Sequence, residues 1–104
     1  MNIELNVKDR LVVISMLKPT GSLQDMVVAF DIVKKLRFTE EEKREIGYRE
    51  EGGKIMWDYS AERSREFQLT YDEIKIIKEA VNTLDEEKKI DFNNLETCLK
   101  FSKL

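Results

Sequence analysis

Apolar and polar residues alternate along this chain with two periods, and the changes from one period to the other divide it into short elements. From Leu23 to Leu36 the apolar positions Leu23, Met26, Val27, Phe30, Val33 and Leu36 recur at spacings of three and four. That spacing predicts a helix over 22–37 with these residues as its buried stripe. Ile74, Ile77, Val81 and Leu84, with Ala80 beside them, repeat the pattern and predict a second strong helix over 71–84. In "EFQLT" the period falls to two, Phe67 and Leu69 alternating with Glu66 and Gln68, which suits a short strand with one buried face. "YREEGGKIMW" places two short runs around Gly52-Gly53, the signature of a tight hairpin.

Helix starts sharpen these boundaries. "NVKD", "SLQD", "TEEE" and "TYDE" each place a small polar residue three positions before an acid, so that the first side chain caps a backbone N–H and the acid answers it. They open helices at Asn6, Ser22, Thr39 and Thr70. The first runs to about Leu17, although Leu11–Ile14 alone would also suit a strand, and Pro19 and Gly21 stop it. The third ends at Gly47. A last helix over 92–102, capped by Asp91, would turn Phe92, Leu95, Cys98 and Leu99 inward. The sum is one α+β domain over 1–104: three N-terminal helices, a small antiparallel sheet with a Gly-Gly hairpin, and two C-terminal helices.

In the hairpin, pairing across Gly52-Gly53 sets Tyr48, Glu50, Ile55 and Trp57 on one face and Arg49, Glu51, Lys54 and Met56 on the other. The first face is the more apolar. It is expected to meet the helices, with Trp57 a core anchor near the fourth helix. The second face, together with Tyr59 in "WDYS", supplies the candidate protein-contact residues Arg49, Lys54, Met56 and Tyr59, since Tyr and Trp often anchor interfaces.

Composition narrows the function. Apolar residues make up 41% and charged residues 38% of 104 positions, enough for one modest core under an ion-rich surface, with a small acidic net charge of −3. The chain has no histidine and a single cysteine, which removes the Ser-His-Asp and Cys-His triads and any thiolate metal cluster. "EGGK" lacks the spacing of a phosphate loop. No catalytic residue, metal site or cofactor is expected. "EEE" at 40–42 reads as a helix start and "DEEKK" at 85–89 as a solvated charge run. Cys98, between Leu95 and Leu99, reads as a core thiol. "MNIELNVKDR" carries no signal-peptide pattern and "LVVISML" is too short to span a bilayer, so the expected location is the cytoplasm, without membrane contact.

Three helices followed by a hairpin is also the element order of a winged helix, which makes a DNA-binding regulator the alternative. Charge opposes it. Residues 39–53 hold six acids against three bases on the elements that would approach phosphate. Lys34, Lys35 and Arg37, and Arg63 and Arg65 in "ERSR", are the only positive clusters there is reason to consider, and each reads as solvated surface or as a partner for nearby glutamates. A magnesium-dependent hydrolase is a third, remote option.

"LNVKDRLVVISMLKPTGSL" at 5–23, "LRFTEEEKREIGYREEGGKIMWD" at 36–58 and "LDEEKKI" at 84–90 together resemble a group of short phage and prophage proteins without assigned activity. The segment "VVAFDIVKK" lies outside the likeness. The resemblance implies a mobile-element origin and, by class analogy, an accessory protein that occupies a surface of a host or viral protein, in the host cytoplasm if phage-encoded. Self-association is left open.

Overall fold

The computed structural model describes residues 1–61 and 63–104 of an α+β domain. In order these are strand β1 (Asn2–Leu5), helices α1 (Val7–Met16), α2 (Leu23–Leu36) and α3 (Glu40–Ile46), strands β2 (Arg49–Glu51) and β3 (Lys54–Met56), a 3₁₀ turn (Tyr59–Ala61), strand β4 (Arg65–Gln68), and helices α4 (Tyr71–Glu86) and α5 (Leu95–Ser102). Four of the five expected caps form; Asp91 does not cap the last helix, which starts at Leu95 with Asn94 at its N-cap. Asn6 with Asp9, Thr39 with Glu42, and Thr70 with Glu73 make complete reciprocal boxes, while Ser22 accepts from the Asp25 N–H. Gly47 closes α3 at φ 66°, the left-handed conformation that costs glycine least.

The antiparallel strands form two separate pairs. β1 pairs with β4 (Ile3 opposite Phe67, Leu5 opposite Arg65), and β2 pairs with β3. The strand predicted in "EFQLT" is therefore real, but its neighbour is a strand at the chain's beginning rather than the hairpin. "NIEL" alternates over only four residues, too short a run to predict a strand. One face of the β1–β4 pair is apolar, and Ile3, Leu5, Phe67 and Leu69 join Val13, Ile32, Leu36, Ile74, Ile77, Val81, Cys98 and Phe101 in a single core. The apolar stripe of α4 is buried as its spacing predicts.

Two helices face otherwise than expected. On α2 the core-facing residues are Ala29, Ile32 and Leu36, whereas Leu23 and Phe30 are 84% and 62% exposed and Val27 is also exposed. On α5 the inward residues are Thr97, Cys98 and Phe101, leaving Leu95 and Leu99 on the surface. Phe92 precedes the helix and is 95% exposed, because Asp91 and Asn94 close a turn on each other: the Asp91 carboxylate accepts from the Asn93 and Asn94 N–H groups, and the Asn94 side-chain oxygen accepts from the Asp91 N–H.

Buried charges tie the elements together, each with partners that offset its desolvation. Asp9 accepts from Thr97 Oγ1 at 2.6 Å and from Lys100 Nζ, locking α1 to α5. Glu73 accepts from Lys35 Nζ at 2.6 Å, joining α4 to the end of α2. Among the described residues no helix is long and apolar enough to cross a membrane.

Candidate functional site

The Gly52-Gly53 turn has φ of 57° and 78°, the positive pair that a two-residue hairpin turn of matching twist requires. Its ladder runs Arg49 opposite Met56, Glu50 opposite Ile55 and Glu51 opposite Lys54. Residues directly opposite lie on one side of a pair, so Arg49, Glu51, Lys54 and Met56 share a face as the sequence implies. The other expectation for the hairpin fails. Every residue of β2 and β3 is exposed, Ile55 included, so neither face meets the helices. The core closes without the hairpin, since no residue of either strand belongs to it.

What holds the hairpin lies at its base. The Asp58 N–H donates to Ile46 O at 2.7 Å and the Tyr48 N–H to Lys43 O at 2.9 Å, both at the end of α3. The Arg49 guanidinium donates to Gly47 O at 2.8 Å and to the Asp58 carboxylate at 3.2 Å. Tyr48 sits against Phe38 with ring centroids 5.8 Å apart, under the Lys43 ammonium. Burial raises the Tyr48 phenol above its usual pKa, and the nearby Glu50 carboxylate adds to the rise.

Trp57 belongs to this base and not to the core beside α4. It is half-buried, absent from the core cluster, and meets Tyr59 edge-on at 5.4 Å. Its indole N–H is shielded from solvent and has no acceptor among the described residues. The apolar hairpin face predicts a core anchor; instead the strand residues that share the core with α4 are Ile3 and Leu5 of β1 and Phe67 of β4.

The four candidate contact residues are thus only partly together. Arg49, Lys54 and Met56 share the hairpin face, while Tyr59, 77% exposed, stands beyond it in the 3₁₀ turn. Arg49 is committed to the clamp. Lys54 has no charged or hydrogen-bonded partner among the described residues, so its ammonium, with exposed Met56 on the same face and Ile55 on the reverse, is what the projecting end offers.

Next to the clamp an open cleft of about 430 Å³ runs between α1, α3 and the segment leading into β4. Its floor holds the centre that sequence reading missed. Arg10, a basic residue in the first turn of α1, is only 3% exposed: Nε donates to Leu36 O at 2.9 Å, Nη2 to Arg37 O at 3.0 Å, and Nη1 to Glu42 Oε2 at 2.8 Å. Its plane lies 3.9 Å from the Phe38 ring centroid. Arg65 reaches the same Glu42 oxygen at 2.8 Å. Glu42, which also caps α3, has its pKa lowered to about 2, chiefly by the Arg10 hydrogen bond. A carboxylate held ionised this firmly is a structural joint and a poor proton carrier near neutral pH.

The cysteine is no better placed for chemistry. Cys98 is buried, and burial first, then Asp91 and Asp85, raises its thiol pKa, which keeps it protonated at neutral pH. Among the described residues no three His, Cys, Asp or Glu side chains converge to hold a metal ion. Within the two basic clusters Lys35 is occupied by Glu73, Lys34 by Asp31 at 3.3 Å and Arg65 by Glu42, while α3 turns Glu40, Glu41 and Glu45 to solvent. Compared with protein-family models, with curated proteins and with solved structures, the chain matches none.

Proposed function

We propose that the protein is a non-enzymatic, cytoplasmic binding module, an accessory protein of phage or prophage origin, that grips a host or viral protein with its Gly-Gly hairpin. One observation carries the reading: β2 and β3 pair with each other, and all their residues lie on the surface, outside the core. A two-stranded hairpin is marginal in water by itself, and this one adds nothing to the core, so the clamp at Gly47, Arg49 and Asp58 maintains an element whose use lies outside the fold. Ile55 and Met56 supply apolar contact and Lys54 a cation without a partner among the described residues, which together fit an apolar patch with an acidic edge. The acidic outer face of α3, beside the hairpin in sequence, disfavours duplex DNA as the partner.

The experiment is affinity capture from host lysate with the wild-type chain, Lys54→Glu and Met56→Asp side by side, each checked by thermal melting. Capture of one protein that both variants lose, with melts unchanged, supports the proposal. Capture that survives both substitutions would place the contact elsewhere.

A further inference from the structure

The outward row on α2 does not depend on that reading. α2 is apolar on two sides: Ala29, Ile32 and Leu36 face the core, while Leu23, Val27 and Phe30 face solvent, followed in the same row by Lys34. Their spacing of four, three and four is that of a coiled-coil seam, and a helix apolar on both sides requires a cover on the second. We infer that this row packs antiparallel against the same row of a second copy of the chain, about a two-fold axis between Val27 and Phe30.

Charge selects both the occupant and the direction. A parallel pair would set Lys34 on the partner's Lys34 at the seam. The antiparallel pair sets Val27 on the partner's Phe30, Leu23 under the stem of the partner's Lys34, and Gln24 beside the partner's Asp31, so no like charges meet. Opposed helix dipoles add to the preference. Lys34 is already suited to this: its ammonium lies 4.9 Å from the Phe30 centroid and 3.3 Å from Asp31, which leaves its methylenes along the row and its charge at the edge. The exposed Phe92, Leu95 and Leu99 surface is a different case, because pairing it with the α2 row would leave an open surface at each end and propagate chains rather than close a dimer.

The row offers roughly 400 Å² per protomer, about half of what a durable interface buries on each side, so the dimer is reversible, with a dissociation constant between about 10 µM and 1 mM. Sedimentation equilibrium of the full chain from micromolar to millimolar concentration tests this. The expected result is a shift from the 12.3 kDa monomer toward twice that mass, abolished by Val27→Glu and by Phe30→Glu with unchanged melting curves. Direction is read from one position: Leu23→Glu faces the partner's Lys34 and should associate roughly tenfold more tightly than Leu23→Lys, two such pairs occurring per dimer. A monomer throughout, species larger than a dimer, a dimer indifferent to both glutamates, or equal affinities for the two Leu23 variants would each overturn the inference.

Discussion

Replacing Arg10 by alanine removes the one side chain that joins α1, the end of α2, α3 and the aromatic floor of the cleft. The Leu36 and Arg37 carbonyls lose their donors, and both lie where a helix end already leaves carbonyls unsatisfied. Each is worth about 1 kcal/mol. Glu42 is partly solvated and keeps Arg65 and its own cap when its principal cation is lost, so the charge term is about 1 kcal/mol, well below the roughly 3–5 kcal/mol seen when a fully buried pair is broken. The expected total is about 3 kcal/mol, or roughly 10–20 °C in melting temperature for a domain of this size. Arg10→Lys should cost less, since it keeps charge but not the fork that serves two carbonyls and a carboxylate. The effect should also depend on pH. Glu42 has a folded pKa of about 2, below its unfolded value, so its contribution is full above about pH 4.5 and is lost as pH falls toward 2. In urea titrations the gap between wild type and Arg10→Ala should therefore narrow by about 1–2 kcal/mol between pH 7 and pH 2.5, allowing for the partly solvated carboxylate. A loss under about 1 kcal/mol at pH 7, or a gap that does not change with pH, would refute the assignment of Arg10 as the joint.

Other substitutions follow from the same geometry. Trp57→Ala should cost about 1–2 kcal/mol by thermal melting, well below the value for a large core aromatic, because the ring lies at the hairpin base outside the core. Gly47→Ala should cost about 1–2 kcal/mol and loosen the hairpin in amide exchange, since its φ of 66° strains any side chain and a Cβ would collide with the Asp58 carboxylate that Arg49 holds. Duplex DNA should bind no more tightly than about 10⁻⁴ to 10⁻⁶ M at physiological salt; a sequence-selective nanomolar shift would revive the winged-helix alternative.

The caps were legible because they are local: Asn6 and Asp9, or Thr70 and Glu73, need only each other and a free N–H. The hairpin register was legible for the same reason, being set by two glycines. What failed depends on distant residues. The face of α2 could not be chosen from its spacing, because both the Leu23–Val27–Phe30 row and the Ala29–Ile32–Leu36 row repeat at helical intervals, and the choice falls to α4 and the β1–β4 pair packed on the smaller residues. "NIEL" is too short to announce itself, and its partner β4 lies sixty or more positions away. Arg10 looks like any first-turn basic residue. Only its acceptors at Leu36, Arg37 and Glu42, brought round by α2 and α3, make it internal. For the candidate site, alternation identified the Arg49–Lys54–Met56 face correctly, but it could not reveal that the opposite face is also bare.

The central claim is that the hairpin serves a partner and not the fold. It is tested most directly by joining Tyr48 to Trp57 through an Asn-Gly turn in place of residues 49–56, then measuring thermal stability and partner capture on the same preparation. The account predicts a loss of under about 1 kcal/mol in stability, since no strand residue belongs to the core, together with complete loss of capture. A chain that fails to fold, or that folds and still captures its partner, would contradict it.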